Sequence, residues 1–286
     1  MASFGALRSR YASLLKQFIA SNKDFEILTT ITAGNASQPK TLYVFDSSFN
    51  PPTCAHLRIA SSALLEQPEP GSRLLLLLAT QNADKPTKPA PFEDRLAMME
   101  LFAHDVRSYL ATAKSFLAEQ VPAIDIAVTK KPYFVDKAAA IEASEKYPKQ
   151  LEQVHLTGFD TLIRIFNPKY YPPEHNLQPL SPLFSQHRLR VTLRPSHDWG
   201  SLEEQEEFLS SLARGDREPE GGRREWAKKI QLVEGRKPGA PSVSSTRARE
   251  ASQSTPDDLD WLVPDKVREF LLSETPYVSK GLSEDA

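Results

Sequence analysis

Apolar and polar positions along the chain follow two alternating rhythms. Compact apolar runs at 42–45, 74–79, 124–128, 154–157, 189–193 and 230–233 predict short β-strands. Between them a helical period predicts helices at 56–66, 92–107, 136–146, 160–166 and 202–212, with two more starting near Thr246 and Pro264. Short strands alternating with helices imply parallel pairing through crossover connections. The expected fold is therefore α/β, a doubly wound, mostly parallel sheet with helices on both faces. Ligands in such a sheet gather outside the carboxyl ends of its strands. Ahead of the first strand, Phe4, Leu7, Tyr11, Leu14, Leu15 and Phe18 recur at helical spacing and predict an amphipathic helix packed on the domain. The expected division is a lead-in at 1–40, one domain at 41–275 and a frayed tail at 276–286.

Two stretches break the rhythm. The run 167–182, "NPKYYPPEHNLQPLSP", is too rich in proline for a long helix. The run 214–225, "RGDREPEGGRRE", is charged and contains glycine, and reads as a mobile surface loop.

Composition narrows the function classes. A net charge of -2 gives no global basic field for nucleic acid. No apolar run approaches the length of a membrane span; "LLLLLA" at 74–79 is far too short. A single cysteine, Cys54, excludes an internal disulfide framework and fits a reducing compartment. Arg8, Arg10 and several serines precede the first acidic residue, Asp24, as in a mitochondrial leader. Helical spacing over the same residues favours a packed helix. The expected setting is cytoplasmic, with the nucleus included and mitochondria as the lesser alternative. A homo-oligomer is compatible with all of this.

Chemistry concentrates where the first strand empties into "DSSFNPPTCAHL" at 46–57. Small residues after a strand let the backbone turn, and their amides can cradle a phosphate. The prolines stiffen the loop, Thr53 can cap the next helix, and His56 falls in that helix's first turn. A helix N-terminus carrying a histidine is a ready anion site. A second such start is "VSSTRAR" at 243–249, where Arg249 lies three residues after Thr246 on one helical side. Each start alone is also what a well-capped surface helix looks like. Two in one chain point to phosphate.

"SSFNPPTCAHLR" resembles the nucleotidyltransferase pattern G-x-F-x-P-x-[HT]-x-x-H, and "VSSTRAR" is similar to that superfamily's I-S-S-T-x-x-R signature. Their order and separation resemble the nicotinamide mononucleotide adenylyltransferase family. "ADKPTKPAPFEDRLAMMELF", "LTGFDTL" and "LVPDKVREFL" are similar to its lysine loop with R-x-x-M helix, its G-x-D strand end and its closing helix. The resemblance covers most of 41–275 and implies a Rossmann-like sheet and transfer of an adenylyl group from ATP to nicotinamide mononucleotide, giving NAD and pyrophosphate. Nicotinic acid mononucleotide is a further expected acceptor.

The same resemblance implies roles. His56 would stabilise charge on the ATP phosphates, with Thr53 beside it where many relatives carry a second histidine. Ser47, Ser48 and Phe49 would make backbone contacts. Ser245, Thr246 and Arg249 would hold the triphosphate, and Lys85 or Lys88 would neutralise it from the opposite loop, with Lys85 favoured. Gly158 and Asp160 would sit beside adenosine and pyridine nucleotide, and Tyr133 or Phe134 would stack on the pyridine, with Tyr170 and Tyr171 as alternatives. Mg²⁺ would arrive with ATP, held mainly by phosphates and water. No protein nucleophile is needed, because positioning and electrostatics carry nucleotidyl transfer.

Three departures stand out. Ser47 occupies the family's glycine position, the animal-type Trp and Thr around the pyridine are replaced by "KKPYFVDKAA", and no Asn precedes the second signature. A relative acting on a different phosphorylated acceptor, such as a phosphopantetheine or cytidylyl-transfer enzyme, and a nucleotide-binding regulator without turnover are the competing readings. Cys54, near a positive helix terminus, is an expected thiolate.

Overall fold

The computed structural model describes residues 3–32, 38–66, 71–81, 90–113, 116, 120–194, 199–235 and 241–277. In chain order the elements are α1 (Phe4–Ala20), β1 (Phe25–Ile31), β2 (Thr41–Asp46), α2 (Cys54–Glu66), β3 (Ser72–Ala79), α3 (Phe92–Thr112), β4 (Ala123–Thr129), α4 (Phe134–Ala143), β5 (Glu152–Gly158), α5 (Phe159–Ile165), α6 (Ser181–Gln186), β6 (Arg188–Thr192), α7 (Leu202–Arg214), β7 (Ile230–Val233), α8 (Ser245–Ser254), α9 (Leu259–Leu262) and α10 (Asp265–Glu274). All six strands expected from the apolar runs are present, within two residues at either end. The helices are also present, although α3 runs to Thr112 and α4 begins at Phe134 and stops at Ala143.

Seven strands form one sheet in the order β1-β4-β3-β2-β5-β6-β7. Six are parallel, and only β1 runs antiparallel, against β4. The expected doubly wound, mostly parallel sheet with helices on both faces is the observed one. Strand β3 shows why its run is continuously apolar. Leu74 to Leu78 are wholly buried, with Leu74, Leu76 and Leu78 in the core shared with α1, α2 and α3. Leu75 and Leu77 face the opposite core with Val44, Ala127 and Ile141. A central parallel strand is covered on both faces, so alternation disappears.

The chain winds to opposite sides from β2 and β5, which makes their junction the switch point of the sheet. Pairing of β2 with β5 runs from Thr41–Glu152 to Val44–His155, whereas β2 stays paired to β3 as far as Asp46–Leu77. The carboxyl ends of β2 and β5 therefore part, and a crevice opens between them.

Helix α1 packs on α3 through Leu7, Tyr11, Leu15 and Phe18, the spacing of one helical face. The Tyr11 hydroxyl donates to Glu100 (2.6 Å), and Arg8 pairs with Asp94 and with Glu274 of α10.

Three features differ from the sequence expectation. Strand β1 went unread: in "FEILTTI" only Phe25 is buried, so an edge strand with one partner left no clear alternation. The stretch 214–225 carries one 3₁₀ turn (Glu218–Glu220) and the start of another (Arg224–Lys229), where the sequence predicts a loop. They are tied by Arg224–Glu218 (2.7 Å) and Arg217–Glu220 (2.6 Å). The proline-rich stretch makes only short turns, as expected, but its end starts the six-residue α6. The tail from 278 onward lies outside the described residues.

Candidate active site

The loop after β2 turns back over the crevice before α2 begins. Its left-handed residue is Phe49 (φ 44°), not Ser47. A serine at 47 therefore needs none of the freedom that glycine supplies, and its N–H extends the sheet by donating to Leu77 O (3.3 Å). Phe49 does not enter the crevice. Its ring is fully buried, edge-on to Phe45 (5.6 Å between centroids) and against Phe102 (6.1 Å), and it anchors the loop from beneath. The Ser48 carbonyl accepts from Arg95 Nε (2.7 Å), which joins the loop to α3.

His56 stands at the third position of α2. Thr53 O accepts the first helical bond, from Leu57 N (3.0 Å), which makes Thr53 the cap. The cap's N–H donates to His56 Nδ1 (3.0 Å), and its hydroxyl lies 2.8 Å from the same nitrogen. This is the reciprocal half of a capping box, with imidazole in place of Glu. A backbone N–H can only donate, so Nδ1 is the acceptor and the ring proton sits on Nε2. Nε2 faces the Ser47 hydroxyl at 3.1 Å. Burial, with Arg194 adding to it and Asp160 opposing, pushes the His56 pKa down to about 4. At neutral pH the group is an uncharged, oriented N–H donor.

The second helix start meets the first. Ser244 caps α8 by accepting from Arg247 N (3.2 Å). Ser245 Oγ donates to Pro51 O (2.8 Å), and Arg249 donates to Asn50 O (2.8 Å) and to Thr246 Oγ1 (3.0 Å). The two signatures, two hundred residues apart, are thus bonded to one another. On the far wall, Asp160 accepts from Arg194 (2.9 Å). Gly158 makes this possible, since a Cβ there would lie 2.5 Å from Asp160 Oδ1 and 3.3 Å from Arg194 Cδ.

Two cavities flank this junction and share Asp46, Ser47, Ser48, Asp160, Thr161 and Ser245. One, of about 460 Å³, holds Thr53, His56, Gly158, Arg194 and Trp199. The other, of about 610 Å³, is lined by Tyr133, Phe134, Tyr170, Tyr171, Arg95, Thr246 and Arg249. Tyr133 lies 6.3 Å from Tyr170 and 6.4 Å from Tyr171, centroid to centroid. Tyr171 is mostly core, its hydroxyl bound to Ile165 O (2.6 Å).

Every sequence-derived site residue within the described part of the chain falls in this crevice except Phe49, which lies beneath it. Lys85 and Lys88 lie outside the described residues. The Cys54 expectation fails: burial first, then Asp265, pushes its pKa up to about 11, so the thiol stays protonated. Sequence reasoning missed Arg194, Trp199, Arg95 and Lys137. A readable signal existed for Arg194, a charge directly past the carboxyl end of a strand. Lys137 could also be read, as a charge four residues before the buried Ile141 on the apolar stripe of α4. Among the described residues no group of three His, Cys, Asp or Glu side chains could hold a metal.

A strand-ending loop and a distant helix start closing over the switch point of a parallel sheet define a nucleotidyltransferase. A cytidylyltransferase-like family model accordingly matches residues 44–181. A curated Schizosaccharomyces pombe (strain 972 / ATCC 24843) protein described as "Putative nicotinamide mononucleotide adenylyltransferase" is 33% identical over 271 residues, covering 94% of this chain and 97% of that one. The chain belongs to the nicotinamide mononucleotide adenylyltransferase family. Its fold is similar to that of Plasmodium falciparum nicotinic acid mononucleotide adenylyltransferase complexed with NaAD (TM-score 0.50, 12% identity, 83% of this chain and 97% of that one). The same enzyme complexed with APC aligns with a TM-score of 0.48 at 11% identity, over 83% and 96% of the two chains.

Proposed function

We propose that this protein joins ATP and nicotinamide mononucleotide to form NAD and pyrophosphate. The observation that carries the reading is the neutral, Nε2-protonated His56 beside two converging helix starts, in the first of two adjoining cavities, one for each substrate. ATP occupies the cavity of His56, Gly158, Arg194 and Trp199, and the mononucleotide the aromatic one. A phosphate oxygen of the mononucleotide attacks the α-phosphorus, the bond from that phosphorus to the bridging oxygen breaks, and pyrophosphate leaves with the electron pair. His56 Nε2–H then turns from Ser47 Oγ to an α-phosphate oxygen as charge builds there.

Arg249 and Thr246, reaching from the aromatic cavity, and the N-termini of α2 and α8 hold the triphosphate where the two cavities meet at Ser47, Ser48 and Ser245. Lys85 or Lys88 completes the clamp from 82–89. Gly158 leaves room for the nucleotide near Asp160, whose carboxylate takes a ribose hydroxyl. Tyr133 and Phe134 stack on the pyridine, with Tyr170 closing the side. The described residues build no metal cage, and the carboxylates facing the crevice, Asp46 and Asp160, are already paired with cations. Mg²⁺ would therefore be carried by phosphates and water, neutralising charge on the leaving group.

The test is incubation of the protein with ATP, Mg²⁺ and nicotinamide mononucleotide, reading NAD through an alcohol dehydrogenase couple. ATP-dependent NAD formation is expected. Tight ATP binding with no product from either pyridine mononucleotide would overturn the reading in favour of a different phosphorylated acceptor or a regulator without turnover.

A further inference from the structure

Lys137 and Asp46 form an ion pair on the wall of the aromatic cavity, with side chains only 6% and 12% exposed. Burying two charges is costly, and a pair of this kind seldom adds net stability. Stability alone is a weak reason for it. Its position suggests another. Lys137 is one helical turn beyond Tyr133 and Phe134, and its ammonium lies 5.1 Å from the centre of the Phe134 ring. Asp46 is the last residue of β2 and borders both cavities. The pair thus lies against the aromatic group on which a pyridine ring would stack.

We infer that the Lys137–Asp46 pair selects the substituent on the pyridine ring, favouring the carboxamide over the carboxylate. The inference rests on the proposed adenylyltransferase reading. Amide and acid mononucleotides share their ribose and phosphate, so groups that hold those parts cannot tell them apart. Only a group at the ring substituent can. A carboxamide matches both halves of the pair, its oxygen accepting from the Lys137 ammonium and its NH₂ donating to the Asp46 carboxylate. A carboxylate matches only the lysine. It also places a second negative charge beside the largely buried Asp46 carboxylate, where the repulsion is weakly screened. A lone lysine here would select the acid; Asp46 reverses that preference.

The experiment measures kcat/KM for both mononucleotides in the wild-type protein, Asp46→Asn and Lys137→Gln. The wild type is expected to prefer the amide. Asp46→Asn, which frees the ammonium, should raise the acid-to-amide ratio at least tenfold. Lys137→Gln, which leaves Asp46 alone, should lower it further below the wild-type value. A purely structural pair would change both substrates in parallel, so an unmoved ratio in both variants overturns the inference while leaving the activity intact. Calorimetric binding of NAD and its carboxylate analogue to the same proteins supplies a second reading, in which Asp46→Asn should shift affinity towards the acid. No affinity for either dinucleotide in the wild type would instead remove the adenylyltransferase reading itself.

Discussion

His56 shows how much local geometry one residue needs before it can act. Its tautomer is set by Thr53 N–H, its plane by Phe45 and Phe49 at 5.6 Å, and its charge by burial. A donor aimed where charge develops is worth most in the transition state, so its loss falls on kcat. His56→Ala is expected to lower kcat by about a hundredfold or more, with a smaller change in ATP affinity. Steady-state kinetics together with an ATP titration check this, and a kinetically normal variant would refute the mechanism. The charge state has its own test. The ring resonances of His56 should stay unresponsive in an NMR titration from pH 8 down to near pH 4, whereas an exposed histidine would titrate about 6.5. The motif made His56, Thr53, Thr246 and Arg249 legible, because phosphate chemistry restricts which residues can stand at a helix start. Lys137 and Arg194 could be noticed as charges at unusual positions, but their partners, Asp46 and Asp160, are distant in sequence, so what the charges do there could not be read.

At the scale of elements, α1 is where two sequence readings diverged. Its basic, acid-free composition suits a cleavable leader, while its apolar stripe suits a packed helix. In the fold, Leu7, Tyr11, Leu15 and Phe18 are buried against α3, and Arg8 bridges α3 to α10. Four buried side chains at roughly 2 kcal/mol each are comparable with the whole stability of a domain. Deleting residues 1–20 should therefore give an insoluble or unfolded product, as judged by circular dichroism and gel filtration. A soluble, cooperatively folding truncation would show that α1 is dispensable. Strand β1 follows from the same logic in reverse: it was missed because an edge strand with one buried side chain has almost no pattern to read.

Across the whole molecule, buried histidines make stability depend on pH. Burial, with His187 and Lys137 adding to it, holds His155 at about 3, and neither of its ring nitrogens has a hydrogen-bond partner among the described residues. Both it and His56 have folded pKa values below the unfolded 6.5. The unfolded chain thus binds their protons first, and stability present above pH 6.5 is lost as pH falls towards 4 and 3. Each group contributes up to about 1.4 kcal/mol per pH unit in that window. Asp105 acts oppositely: burial raises it to about 6, so protonating it between pH 6 and 3.8 favours the fold. A comparison of variants isolates the histidine. His155→Met should match wild-type urea resistance at pH 7 and exceed it increasingly down to pH 5. A difference that does not change with pH would show that His155 is not a source of acid sensitivity.

Sequence alone determined the order of the six parallel strands and the main helices between them, the parallel class of the sheet and the two phosphate-ready helix starts. Those depend on local rules: side-chain periodicity, turn chemistry and helix capping act over a few residues. Tertiary structure decided the rest. Only the parting of β2 from β5 opens the crevice, and only folding brings Arg249 to Asn50 O and Ser245 to Pro51 O. The same holds for charge. Cys54 reads as a thiolate beside a helix start, but burial, with Asp265 from the far end of the chain adding to it, keeps it protonated. Desolvation and the field of distant charges are properties of the assembled volume, which no run of neighbouring residues encodes.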